Sequence, residues 1–210
     1  TVSHGSGNTR IHDDGWEAQV MPTLLQAIPT TYNGVTFRSR LEARHAVLMD
    51  TLGVEWHYEY EGYQLPSGWY VPDFWLPTVG KWLEVKGEEP SLHELQLADE
   101  LSDHTGANVV IAPGPMPDPD LFESHGTPYS INESWMIACG DYHYQWTICP
   151  DCGRYGIEFD GRGDRICSPM WSKKETRTCR DKCRMCDKGY GANHPTICAA
   201  YHRARTYRFW

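Results

Sequence analysis

The chain has 210 residues, of which 40% are hydrophobic and 22% charged, and a formal net charge of −9. No apolar run approaches the roughly 20 residues that a membrane-spanning helix needs, and the opening TVSHGSGNTRIHDD has neither the basic nor the apolar region of a secretory signal. A membrane role is not expected, and the length suits one sizeable core with a small appendage.

The acidity is unevenly spread. Residues 1–148 carry 6 Lys and Arg against 21 Asp and Glu, whereas residues 149–210 carry 13 against 7. An acidic part suits metal binding, and a basic part suits a phosphate backbone. Residues 1–30 read as a polar N-terminal arm or remnant, with Met21 a natural start. Ser39-Arg40-Leu41-Glu42 then opens a helix with Leu41, His45, Leu48 and Leu52 at helical spacing, closed by Gly53. The aromatic, alternating stretch 55–65 predicts a strand, Pro66-Ser67-Gly68 a hairpin turn, and 69–76 a second strand. Val79-Gly80 turns the chain into a third strand, Trp82 to Val85. A second helix is expected over 91–104, with Leu92, Leu95, Leu97 and Leu101 available for burial, then a buried strand at 108–112. Trp135 to Ala138 is the best further strand. Helix, three strands, helix, strand is the pattern of one mixed α/β sheet flanked by helices.

The chemistry gathers in VPDFWLPTVGKWLEVKG, residues 71–87. Glu84 and Lys86 are two apart, so on a strand they share a face, while Leu83 and Val85 turn the other way. With Asp73 on the neighbouring strand, two acids and a lysine make a pocket suited to a divalent cation and a phosphate. Each also has a plainer use. Glu42 stands three residues after Ser39, the spacing of a capping box. Asp73 suits a turn, and Glu84 with Lys86 suits a surface ion pair. His45 reads as a partly buried helix residue. Nine tryptophans and twelve tyrosines invite base stacking, but Trp56, Tyr58, Tyr60, Trp69, Trp75 and Trp82 lie on predicted strands, where packing is the simpler use.

Seven of the eight cysteines fall in the basic part. Cys149-Pro-Asp-Cys152-Gly and Cys183-Arg-Met-Cys186 are two C-x2-C pairs, the spacing at which two knuckles complete a four-thiolate structural Zn²⁺ site. Cys167, Cys179, His194 and His202 are alternative ligands. Arg154, Arg162, Arg165, Lys173, Lys174, Lys182 and Arg184 make this module the expected surface for positioning DNA. Arg203, Arg205 and Arg208 near the end suit either a phosphate backbone or a segment docked on that module through Tyr201, Tyr207 and Trp210.

Pro72-Asp73, Glu84-Val85-Lys86 and the helix opening Phe37-Arg38-Ser39-Arg40-Leu41-Glu42 together resemble the PD-(D/E)xK nuclease superfamily, in particular its phage and mobile-element members such as junction resolvases and transposon end-cleaving nucleases. The CPDCG and DKGY segments resemble an appended zinc-ribbon. The resemblance implies a restriction-endonuclease-like αβββαβ core over 31–145 and a basic zinc-ribbon-like domain over 146–210. It implies that Asp73, Glu84 and the carbonyl of Val85 ligate Mg²⁺ or Mn²⁺, with Glu42 acting directly or through water. Lys86 would position or deprotonate the attacking water, or neutralise the charge that develops on the phosphate. The implied partner is branched or duplex DNA, the implied assembly a homodimer, and the implied location the cytoplasm of a host cell. The competing expectation is a non-catalytic nucleic-acid- or protein-binding module, an accessory or structural protein on the same scaffold.

Overall fold

A computed structural model describes residues 27–119, 136–138, 142–149, 153–159 and 194–210. The described chain opens with a hairpin of β1 (Thr30–Tyr32) and β2 (Val35–Phe37). Its turn is Asn33-Gly34, both with positive φ (49° and 80°), the conformation that matches the twist of a two-residue hairpin. Ser39 caps α1 (Arg40–Leu52), and Gly53 ends it in the left-handed region at φ 68°.

A seven-stranded mixed sheet carries the rest. It comprises β3 (His57–Tyr58), β6 (Phe74–Leu76), β7 (Lys81–Lys86), β8 (Val109–Pro113), β9 (Met136–Ala138), β10 (Tyr142–Ile148) and β11 (Tyr155–Phe159), adjacent in the order β11-β10-β9-β8-β7-β6-β3. A separate hairpin, β4 (Tyr63–Leu65) with β5 (Gly68–Tyr70), lies between β3 and β6 in sequence. The β6–β7 pairing is antiparallel, and β7–β8 is parallel. A parallel neighbour needs a crossover, and α2 (Leu92–Thr105) provides it.

Strand parity sorts the side chains into two layers. Phe74, Leu76, Leu83 and Val85 pack in one cluster with Ala46, Leu48 and Met49 of α1. Trp82, Val109 and Ile111 join Leu97, Ala98 and Leu101 of α2 in the other, with Trp75 against them. Leu48 is fully buried, so truncation to Ala removes about 2–5 kcal/mol. A third helix, α3 (Pro195–Thr206), packs on α1 and adds Ile197, Ala200, Tyr201 and Ala204 to the first cluster. The described residues therefore form a mixed α+β fold. No helix among them is long and apolar enough to cross a membrane.

Several expectations need correction. The strand expected over 55–65 is broken at Glu59, whose φ of 45° turns the chain. The one expected over 69–76 is broken at Val71–Asp73, where Pro72 has no N–H to give a ladder. Leu92 is 86% exposed, because at 100° per residue it lies on the opposite side of α2 from the buried Leu101. Tyr60 and Trp69 are also exposed rather than packed. Tyr207 docks on Tyr32 of the β1–β2 hairpin, edge to face at 5.2 Å, Tyr201 joins the core, and Trp210 is fully exposed.

Candidate active site

Ladder register brings the two acids together. Phe74 pairs with Leu83, so Asp73, one residue before β6, comes level with Glu84 on β7. Each braces the other's strand: the backbone N–H of Asp73 donates to Glu84 Oε2 at 3.1 Å, and that of Val85 donates to Asp73 Oδ2 at 2.7 Å. Asp73 is 2% and Glu84 4% exposed. Buried carboxylates need donors or cations, and these have both. Arg38 Nη2 lies 2.5 Å from Asp73 Oδ1, and Lys86 Nζ lies 3.0 Å from Glu84 Oε1. Lys86 also reaches Glu94 Oε1 at 2.8 Å, at the start of α2.

The third acid comes from α1. Ser39 Oγ accepts from the Glu42 N–H at 3.1 Å, the first half of a capping box. The Glu42 carboxylate does not complete it. Glu42 Oε2 accepts instead from the Tyr58 hydroxyl at 2.6 Å and from the Arg38 N–H at 3.1 Å. Arg38 thus ties the site together, because its Nε also meets Glu59 at 3.0 Å. The backbone at Glu59 is anchored by donating to the Asp73 carbonyl at 2.8 Å.

The electrostatics follow from burial and crowding. Burial first, then Glu84 and Glu42, push the Asp73 carboxyl up to about 8, against the opposing pull of the Val85 N–H and Arg38. Burial alone would lower the Lys86 ammonium, but Glu84 and Glu94 outweigh it and raise the group, so Lys86 stays charged at neutral pH. That suits a donor or an electrostatic partner better than a general base. Burial and then Glu84 raise the Tyr70 phenol, which stays protonated beside Glu84. The Lys86 contact, followed by the Ser91 N–H, holds Glu94 down at about 2.

Glu42, Asp73, Glu84 and Lys86 are therefore brought into one electrostatic neighbourhood. As placed, their oxygens turn to protein donors, and among the described residues no three His, Cys, Asp or Glu side chains converge as ligands on one point. The donor set, three buried carboxylates, has the hard-oxygen chemistry of an Mg²⁺ or Mn²⁺ site. Val85, expected to contribute its carbonyl, takes part through its N–H, which donates to Asp73. His45 is buried in the core of α1, where burial lowers it to about 4 and Nδ1 has no hydrogen-bond partner. From sequence, Arg38 figures only as part of the helix opening and Tyr58 only as a packing residue, and no role here falls to Tyr70, Glu59 or Glu94. Only Glu94 carried a legible signal, Ser91-Leu-His-Glu94.

Of the expected zinc ligands, Cys149 is buried at the end of β10. Its backbone enters a tight turn in which Gly153 N–H donates to the Cys149 carbonyl and Cys149 N–H to that of Arg154, both at 2.8 Å. Gly153 has φ 69°, a conformation glycine adopts without strain. Cys152, Cys167, Cys179, Cys183 and Cys186 lie outside the described residues, as do Arg162, Arg165, Lys173, Lys174 and Arg184. Arg154 is exposed. His194 caps α3, its Nδ1 accepting from Thr196 N–H at 3.3 Å.

No protein-family model matches the chain, and neither a curated protein nor a solved structure matches it.

Proposed function

We propose that the protein is a divalent-metal-dependent endonuclease that hydrolyses phosphodiester bonds of DNA. The observation that carries the reading is the braced pair Asp73–Glu84, buried to 2% and 4% exposure, with Lys86 on Glu84 and Glu42 within reach. Three acids crowded out of water raise one another's cost of ionisation, and a structural core has no use for that cost. The order α1, β3, β6, β7, α2, β8, antiparallel to β7 and parallel from β7 to β8, supports a restriction-endonuclease-like core.

A bound Mg²⁺ or Mn²⁺ would acidify a water and offset charge on the phosphate. Asp73 and Glu84 would hold it. The chain's own groups do the remaining work. Lys86, charged and pinned between Glu84 and Glu94, presents an N–H toward the reacting phosphate or the attacking water. Tyr58 and the Arg38 N–H fix the Glu42 carboxylate so that it can accept a hydrogen bond from a water without rotating. A cation reaching Asp73 Oδ1 competes with Arg38, whose side chain is 57% exposed and already held by Glu59 on its other side. The Zn²⁺ module, on its four thiolates, would hold the DNA, and a homodimer would suit a branched substrate.

The second reading, a non-catalytic binding module, is favoured by one observation: all four oxygens of Asp73 and Glu84 already have protein donors. The deciding experiment incubates the full chain with labelled junction, flap, duplex and single-stranded DNA in Mg²⁺, Mn²⁺ or EDTA, beside Asp73→Ala and Lys86→Ala. Metal-dependent cleavage lost in both variants supports the nuclease. Binding without cleavage under every condition supports the module.

A further inference from the structure

Basic residues are scarce in the acidic part of the chain, yet three of the six in residues 1–148 are Arg38, Arg40 and Arg44. Arg38 is engaged in the acidic site. Arg40 and Arg44 are not. Four apart on α1, they share one helix face about 6 Å apart in rise, where like charges repel. Neither forms an ion pair or side-chain hydrogen bond among the described residues, and Arg44 Nε is buried with no partner. A third arginine is fixed nearby. Arg205 of α3 donates to the Met116 carbonyl at 2.8 Å and to Asp118 Oδ2 at 2.6 Å. Asp118 is thus engaged by Arg205. Burial, then Arg40, then Arg205, lower the Arg44 guanidinium. Arg40, by its place one turn away, and Arg205, from the packed helix α3, both stand close enough to Arg44 to oppose its charge, an arrangement that an anionic ligand would relieve.

We infer that Arg40, Arg44 and Arg205 form a backbone-binding track for nucleic acid along the α1–α3 face, contacting consecutive phosphates. The inference rests on the nuclease reading for its choice of nucleic acid as the anion. Guanidinium forks match phosphate oxygens in pairs, and a row spread over a helical turn and a second helix suits a polymer of phosphates better than a single one. At 100° per residue Arg40 and Arg44 lie roughly opposite Glu42 around a helix of about 10–12 Å diameter. The contacts are to the backbone, so they set position and affinity without reading sequence.

The test is fluorescence anisotropy of labelled duplex and single-stranded DNA with the full chain in EDTA, across a KCl series. Wild type is compared with Arg40→Gln, Arg44→Gln, the double variant and Arg44→Lys, each checked for an unchanged melting transition. The double variant is expected to bind about tenfold more weakly, with the slope of log K against log salt smaller by about one to two, since each phosphate contact contributes about 0.9 on duplex DNA. Arg44→Lys should recover most of the slope. If Arg44→Gln does not fold, the exposed Arg40→Gln carries the test, with a slope change of about one. Unchanged slope and affinity overturn the track, as does wild-type binding without salt dependence or a loss seen only with anionic lipid vesicles. Cleavage in Mg²⁺, run separately, keeps the two readings apart. Cleavage with an unaltered slope removes only the track, whereas an altered slope without cleavage supports the track and removes the nuclease.

Discussion

Helices α1 and α2 begin with the same four-residue signature, and they spend it differently. Ser91-Leu-His-Glu94 closes a full capping box: Ser91 Oγ accepts from the Glu94 N–H, and the Glu94 carboxylate accepts from the Ser91 N–H at 2.8 Å. Ser39-Arg-Leu-Glu42 makes only the first of these bonds. Glu42 is buried to 6% exposure and turned to Tyr58 and the Arg38 N–H. A helix start gains from the second bond only about what a cap contributes, on the order of 1 kcal/mol. Giving it up at α1 places a third acid beside Asp73. Glu94 serves as cap and as anchor for Lys86 at once, because it sits at the rim, where its remaining oxygen reaches the lysine.

That contrast is exposed to direct attack. The largest effect expected is on catalysis: Glu42→Ala should lower metal-dependent cleavage about 10²–10³-fold while moving the melting temperature little. Glu94→Ala should lower cleavage much less, since Lys86 keeps Glu84. Equal losses from the two variants would erase the distinction. Next in size, Arg38→Gln should tighten Mn²⁺ binding several-fold in calorimetric titration, by removing the cation that competes at Asp73. Weaker binding in that variant would make Arg38 a support of the metal site rather than its competitor.

Smaller effects fall on stability. Ser91→Ala and Ser39→Ala should each cost about 1 kcal/mol in denaturant unfolding, with Ser91→Ala the costlier because it also removes the hydroxyl that donates to Glu94 Oε2. Asp73→Asn should stabilise the protein in a pH-dependent way. A carboxyl raised from 3.8 to about 8 on folding binds more protons in the native state across that interval, so native stability falls as pH rises through it. The amide does not ionise. Its advantage in melting temperature should therefore be largest near pH 8 and should shrink toward pH 4. An advantage that grows on acidification would mean that Asp73 is better solvated than its burial indicates.

Part of the site was legible because strand parity is a local rule. Glu84 and Lys86 fall on one face from spacing alone, and the turn at Val79-Gly80 makes Asp73 level with Glu84. The partners that set their chemistry were not legible. Arg38 reaches Asp73 across 35 residues of sequence and Tyr58 reaches Glu42 across 16, and no periodicity encodes such meetings. The break at Glu59 was hidden for a related reason. Its left-handed φ is held by the bond to the Asp73 carbonyl, a tertiary contact that overrides the extended preference of the aromatic run around it. Leu92 was misjudged because a run of leucines is not a face: nine residues before Leu101 is half a turn round the helix, away from the side that is buried.

By itself, then, the sequence determined the starts and ends of α1 and α2 and the shared face of Glu84 and Lys86, because capping, turn conformation and the two-residue repeat of a strand act over a few bonds. It also determined the acidic–basic division of the chain. Only the tertiary structure decided which serine–glutamate box stays closed, which arginine neutralises Asp73 and which two are left facing each other on α1. Those outcomes depend on burial. A charge removed from water takes whichever partner the packing of distant segments brings within about 3 Å, and the chain folds around that choice.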